Sequence, residues 1–206
     1  MNNQLEAIVP QWIKIHRNAL TKDECEDIIN FTTGKLEFQP LTSNIEGYRT
    51  SNHFFMNSSD DIPINDKIQD QTTLFINKDR NKNNYLPTHN QEMTSISRYE
   101  KGQEFKGHHD YFHKHTKEYE KHVNTHNTNR IMTAVFYLND DFEGGETYFP
   151  ILDLTIKPEL GMCVTWVNIF DNGELNQKSY HAGLPVISGE KFIATKWIRK
   201  TKYKNG

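Results

Sequence analysis

Residues 130–150 read RIMTAVFYLNDDFEGGETYFP, and this stretch decides the fold class. Two short runs rich in β-branched and aromatic residues flank a segment dense in Asn, Asp and Gly. Runs of this composition favour β-strands, and the segment between them favours a connection. The stretch therefore predicts two short strands.

Runs of similar composition lie on both sides of this stretch. The runs MTSISRY, GMCVTWV and KFIATKWI, which begin at residues 93, 161 and 191, also read as strands. Five or more short strands without intervening helices favour a sandwich, jelly roll or barrel over a parallel sheet.

Two segments before residue 90 read as helices. TKDECEDIINFTTG opens with a capping box formed by Thr21 and Glu24, and DIPINDKIQDQTTLFINK carries Pro63 near its start. We expect a single domain over residues 1–206, in which residues 1–90 support a core over residues 91–203.

Composition and charge narrow the class of protein. A net charge of −3 argues against a protein that binds nucleic acid by neutralising phosphates. The sequence shows neither a signal peptide nor a run of apolar residues long enough to cross a membrane. We therefore expect a soluble, cytoplasmic protein with no nucleic-acid or membrane partner, and Cys25 and Cys163 are expected to be separate core thiols.

The stretch GHHDYFHKHTKEYEKHVNTH, which begins at Gly107, contains six of the ten histidines of the chain. In an extended segment His108 and Asp110 share a face, because side chains alternate along a strand. A third ligand from a distant strand would complete the two-histidine, one-carboxylate triad of non-haem Fe(II) oxygenases, and His181 is the one histidine after His126. A pair spaced as His108 and Asp110 also arises by chance, so spacing alone leaves this assignment open.

The other five histidines of this stretch are expected to be solvated. They lie in or next to residues 113–129, a polar segment without periodicity that predicts a mobile loop, which we expect to cover the substrate. These histidines are His109, His113, His115, His122 and His126.

Lys191 opens the predicted strand KFIATKWI and shares a face with Trp197. A lysine on the inner face of a barrel is costly unless it is paired, so an organic acid bound inside would account for it. The alternative places Lys191 in solvent, and Trp197 with it.

Five motifs together resemble the prolyl 4-hydroxylase branch of the 2-oxoglutarate, Fe(II)-dependent dioxygenases. They are RTS, SRYEKGQEFKGHHDYF, RIMTAVFYLNDDFEGGETYFP, GMCVTWVN and HAGLPVISGEKFIATKWIR, and the likeness runs from Tyr48 to Arg199. The resemblance implies an α+β, mainly β fold with a double-stranded β-helix (jelly-roll) core and supporting N-terminal helices, in a small stand-alone form. It also implies hydroxylation of peptidyl proline at C4, in which O2 and 2-oxoglutarate are consumed, succinate and CO2 are released, and ascorbate serves as reductant.

The resemblance assigns roles to ten positions. The implied Fe(II) ligands are His108, Asp110 and His181; the implied 2-oxoglutarate contacts are Lys191, Tyr99 and Thr147; and the implied peptide-groove residues are Arg49, Ser51, Arg130 and Trp197. Arg49 and Arg130 could instead be surface ion-pair partners.

Two departures from the family pattern lie near the first implied ligand. Phe105 replaces a usual tyrosine, which puts part of the substrate contact in doubt, and Gly107 replaces a common proline. Two other functions stay open: the same chemistry on another residue type, a free amino acid or a nucleobase, and a non-catalytic jelly roll whose His-rich loop binds Zn or Ni.

Overall fold

The structure is a computed structural model that describes residues 9–38, 49–56 and 63–203. Within these ranges the chain forms three α-helices, which are α1 (Lys22–Thr32), α2 (Pro63–Asn77) and α3 (Lys117–His126). Its thirteen strands are β1 (Ile13–His16), β2 (Glu37–Phe38), β3 (Asn52–Met56), β4 (Thr94–Tyr99), β5 (Phe105–His108), β6 (Arg130–Tyr137), β7 (Glu143–Gly144), β8 (Thr147–Phe149), β9 (Leu154–Ile156), β10 (Cys163–Val167), β11 (His181–Gly183), β12 (Val186–Ser188) and β13 (Lys191–Arg199). Tyr48, where the family resemblance begins, lies outside the described residues.

The strands form two main antiparallel sheets. The larger has seven strands in the order β1-β10-β6-β13-β4-β3-β2, and the smaller has four in the order β5-β11-β8-β9. Strands β7 and β12 form a separate pair. The predicted mainly β, jelly-roll architecture is confirmed, and the five predicted strands are β4, β6, β8, β10 and β13.

Both faces of the larger sheet are buried. One face packs against the helices, and a second hydrophobic cluster lies between the other face and the smaller sheet. Ala194 and Ile198 of β13 pack on the helix side, in a cluster that includes Ile28 of α1. Ile193 points the other way, into a cluster with Phe149 of the smaller sheet. This alternation, expected of a strand buried on both faces, fixes which side chains of β13 reach the interior.

The two N-terminal helices form as predicted. The Thr21 hydroxyl accepts from the Glu24 backbone N–H at 3.2 Å, and the Glu24 carboxylate accepts from the Thr21 N–H at 2.8 Å, which completes the capping box. Helix α2 begins at Pro63 and buries Ile68. Cys25 and Cys163 are buried, unpaired thiols, as expected.

The prediction of a mobile loop over residues 113–129 was wrong about secondary structure, because residues 117–126 form helix α3. Thr116 caps its start by accepting from the Tyr119 N–H, and Asn127 ends it in the left-handed region at φ 56°. Val123 and His126 are buried on one side of the helix. Tyrosine and histidine rings can be buried like apolar groups, so counting them as polar hid the helical period. That this segment covers the substrate stays a prediction.

The expectation that all five remaining histidines of the cluster are solvated was also wrong. His126 is buried, and its ring lies 4.4 Å from that of Tyr203. The His122 ring stacks on Phe112 at 4.8 Å. Both histidines therefore help to fix α3 on the body of the protein.

In the part of the chain that the structure describes, no helix combines the length and apolar character needed to cross a membrane.

Candidate metal and cosubstrate site

Pairing between β5 and β11 brings two distant histidines together. His108 and His181 are register partners across this antiparallel pair, with ring centroids 4.3 Å apart. Asp110 follows β5, and its carboxylate oxygens lie 3.5 Å from His108 Nε2 and 3.8 Å from His181 Nε2. One ligand atom from each residue lies within 4.8 Å of the others, as a metal site requires. No other group of three such side chains is found among the described residues.

Backbone carbonyls fix the protonation of both imidazoles. His108 Nδ1 lies 2.8 Å from the Lys106 carbonyl oxygen, and His181 Nδ1 lies 2.8 Å from that of Ser179. Because a carbonyl only accepts, each Nδ1 carries a proton, which leaves Nε2 as the atom that can bind a metal. This is the arrangement in which a neutral histidine binds a metal.

The Asp110 carboxylate is held as an anion by its neighbours. Thr133 donates its hydroxyl to Oδ2 at 2.6 Å, and the Asn168 amide donates to the Thr133 oxygen at 2.8 Å. Burial alone would raise the pKa of Asp110, but His181 and His108 in their protonated forms, together with the Thr133 hydroxyl, hold it well below its usual range. Burial lowers the pKa of His181 to about 4, with His108 adding to the shift. On metal binding the group can offer two imidazole nitrogens and one carboxylate oxygen, a donor set that suits Fe(II).

A buried lysine lies in the cavity that these three residues line. Lys191 is 3% exposed, and its ammonium donates to the Gly145 carbonyl oxygen at 2.6 Å. Burial lowers the pKa of Lys191 to about 8, with Glu146 opposing the shift. Lys191 therefore points inward, as the strand pattern favours, and the alternative that it faces solvent is wrong.

The other two residues expected to contact the cosubstrate line the same cavity. The Lys191 ammonium lies 5.3 Å from the centre of the Tyr99 ring. The Thr147 and Tyr137 hydroxyls are hydrogen-bonded at 2.6 Å. The cavity thus has metal-binding groups and, beside them, a cation with neutral donors.

The four residues expected in the peptide groove fall into two pairs. Arg49 and Trp197 line the cavity. Ser51 is buried, and its hydroxyl accepts from Arg49 Nε at 3.3 Å. Arg130 places its guanidinium 3.8 Å from the Trp197 ring centre and donates twice to the Glu92 carboxylate, at 2.9 and 2.8 Å. Ser51 therefore contacts Arg49, and Arg130 contacts Trp197, but neither Ser51 nor Arg130 lines the cavity itself.

The two departures from the family pattern are accommodated locally. The Phe105 ring stacks on His108, with centroids 3.6 Å apart and planes 21° apart. A Cβ atom at Gly107 would overlap the Tyr180 ring, so a proline does not fit there while Tyr180 keeps its position. Phe105 therefore lacks the tyrosine hydroxyl but keeps an aromatic contact with His108.

Sequence reasoning missed several residues that support the site. The sequence could have indicated Thr133, since it alternates with Val135 on the inward face of β6. Glu92 and Asn168 gave no signal, because their partners are distant in sequence. His53, which contacts Arg49, lay in a segment not assigned as a strand.

Comparison with known proteins defines the class. The profile of the 2OG-Fe(II) oxygenase superfamily matches residues 94–199, which include His108, Asp110, His181 and Lys191. The chain belongs to this superfamily and is a 2-oxoglutarate-dependent dioxygenase, with Fe(II) as its metal. The alternative of a non-catalytic metal-binding jelly roll is therefore wrong.

Relatives place the chain more narrowly. It is 30% identical to prolyl 4-hydroxylase 1 of Arabidopsis thaliana, over 93% of this chain and 69% of the relative. It is 29% identical to prolyl 4-hydroxylase 13 of the same plant, over 90% of this chain and 70% of the relative. The viral collagen prolyl hydroxylase of Paramecium bursaria Chlorella virus-1, solved as a 2OG complex, superposes with a TM-score of 0.73 at 29% identity, covering 92% of this chain and 96% of that one. The protein is a member of the prolyl 4-hydroxylase family, as the sequence motifs predict.

Proposed function

We propose that this enzyme hydroxylates proline residues of a peptide at C4, consuming O2 and 2-oxoglutarate and releasing succinate and CO2. The observation that carries the proposal is the shared cavity of His108, Asp110, His181 and Lys191, in a chain whose relatives are prolyl 4-hydroxylases.

The proposed metal ligands are His108 and His181 through Nε2 and Asp110 through a carboxylate oxygen. With three protein ligands, a bound Fe(II) ion would have further coordination positions for the cosubstrate and for O2. When bound, Fe(II) supplies the oxygen activation that an unreactive C–H bond requires. Ascorbate is the proposed reductant that restores iron oxidised in unproductive turnovers.

The proposed role of Lys191 is to bind the C5 carboxylate of 2-oxoglutarate. Its ammonium is buried and donates to a neutral carbonyl oxygen, so a bound carboxylate would place a negative charge within hydrogen-bonding distance of it. Hydroxyl groups of Tyr99 and Thr147, which line the same cavity, are the proposed neutral donors.

Peptide binding is proposed for Arg49 and Trp197, which line the cavity. Ser51 and Arg130 would act through them, because Ser51 contacts Arg49 and the Arg130 guanidinium lies over the Trp197 ring. Each proposed peptide contact, Arg49 or Trp197, would therefore be held in place by one neighbouring residue.

The test is succinate release by purified enzyme supplied with Fe(II), 2-oxoglutarate, ascorbate and a proline-rich peptide. We expect turnover that rises with the peptide and is lost in His181→Ala and in Asp110→Ala. A peptide of the same sequence with alanine in place of proline is the matched control. Equal stimulation by both peptides would contradict the proline assignment, and turnover that survives either substitution would contradict the site.

A further inference from the structure

Arg49 is a partly buried cation at the wall of the cavity, and its hydrogen-bond partners among the described residues are neutral. Its Nε donates to Ser51, one terminal nitrogen donates to the Ser97 hydroxyl at 3.0 Å, and the same nitrogen lies 2.7 Å from His53 Nδ1. Within residues 9–38, 49–56 and 63–203, no acidic side chain forms an ion pair with it. The shortest of these contacts is the one to His53.

The contact with Arg49 fixes the protonation of His53. A guanidinium has only donors, so Nδ1 must accept and the ring proton must lie on Nε2. Nε2 is 3.0 Å from the Ser51 hydroxyl, which can receive that proton in a hydrogen bond. Burial and the charge of Arg49 lower the pKa of His53 to about 2, so the ring stays a neutral acceptor at working pH.

The Arg49 guanidinium lies over the Phe105 ring, which in turn contacts a proposed iron ligand. The Arg49 guanidinium carbon is 4.9 Å from the centre of the Phe105 ring, and that ring stacks on His108. His53 is 3% exposed and does not line the cavity. His53 therefore contacts the guanidinium without lining the cavity itself.

We propose that His53 is a positioning residue for the peptide substrate: its neutral imidazole fixes the Arg49 guanidinium, so that the remaining N–H groups meet carbonyl oxygens of the bound chain. The inference rests on the proposed function, since Arg49 is a proposed peptide contact. Without His53, the guanidinium would keep its bonds to the Ser51 and Ser97 hydroxyls and its contact with the Phe105 ring, but would lose its shortest hydrogen bond. The fixed planar geometry of the group is what recognition of a peptide would use.

Three substitutions separate the accepting atom from the size of the ring. His53→Asn places an amide oxygen near the position of Nδ1, whereas His53→Gln places its amide near that of Nε2, and His53→Leu removes both. We expect Leu and Gln to raise the peptide KM about tenfold, the order expected for a hydrogen bond to a charged group, and Asn to stay near wild type. The KM for 2-oxoglutarate and the affinity for Fe(II) should not change in any of them.

A double-mutant cycle with Arg49→Ala tests whether His53 acts through Arg49. Residues that act through one contact are not additive, so His53→Leu should have no further effect on the peptide KM in the Arg49→Ala background. If the Leu variant does not fold, the Asn and Gln pair supplies the same comparison.

Three results would overturn the inference: additive effects in the cycle, an equal rise in the KM for 2-oxoglutarate, or an unchanged peptide KM in the Leu and Gln variants. Wild-type turnover with a proline peptide would still uphold the proposed function in each case. A wild-type enzyme that no proline peptide stimulates would overturn both.

Discussion

His108 and His181 face each other as register partners on β5 and β11, although the loop that follows β5, helix α3 and five strands separate them in the chain. The site therefore depends on the pairing of two short strands of the smaller sheet. Asp110, at the end of β5, then needs only its local backbone and the Thr133 hydroxyl to complete the group.

Thr133→Val should weaken metal binding. The change keeps the shape of the side chain, removes the hydrogen bond to Asp110 and leaves the Asn168 amide without its acceptor. Loss of a group that orients a metal ligand costs about 10- to 100-fold in affinity, and we expect a decrease of that order for Fe(II) or Mn(II), measured by anaerobic titration. Thr133→Ser, which keeps the hydroxyl, is the control. Unchanged affinity in the valine variant would contradict the proposed orientation of Asp110.

Binding of 2-oxoglutarate should weaken as the pH rises through about 8. Burial lowers the pKa of Lys191 from 10.5 to about 8, and only the protonated ammonium attracts the carboxylate. The dissociation constant should be flat below this pH and should rise by up to about tenfold per pH unit above it. Lys191→Arg, whose guanidinium stays charged, should bind with a flatter profile. An identical rise in both proteins would show that another group titrates.

Glu92→Gln should destabilise the fold. The carboxylate accepts from Arg130 and, at 2.7 Å, from Arg199, which is fully buried. The substitution leaves the buried Arg199 and the partly buried Arg130 without their anion. Breaking a buried pair costs about 3–5 kcal/mol, and we expect a loss of this order in the free energy of unfolding measured in urea.

The control for this prediction is Glu100→Gln. Its carboxylate pairs with Arg98 at 2.7 Å and is 47% exposed, so a loss of less than about 1 kcal/mol is expected. Burial opposes ionisation of Glu92, but Arg130 and Arg199 hold its pKa below the usual value. Its contribution is therefore complete above the ordinary glutamate pKa and is lost as the pH falls through the lower, folded-state value. Equal losses in the two variants would contradict the buried network.

Much of the architecture and the chemistry could be predicted from local sequence. Alternation and composition identified β6 and β13 and placed Lys191 on the same face as Trp197, and the structure shows that this face points inward. The spacing of His108 and Asp110 suggested a ligand pair, and the surrounding motifs indicated His181 as its partner. These features are carried by residues that are close in sequence or by family motifs.

Long-range pairing could not be predicted in the same way. Strands β1 and β3 contain few residues, and they are strands because β10 and β4 pair with them. Arg130 read as a groove residue or a surface ion-pair partner, whereas its contact with Glu92 joins positions 38 residues apart in a largely buried network. Helix α3 was hidden because His126 is buried against Tyr203, near the far end of the chain.

The most direct test of the central claim uses a peptide whose prolines carry deuterium at C4. We predict that mass spectrometry of the product will show the gain of one oxygen and the loss of one deuterium per hydroxylated proline, and that Asp110→Ala will show neither. Gain of oxygen with both deuterium atoms retained would place the reaction on another carbon. Succinate release without any change in the peptide would contradict the proposed substrate.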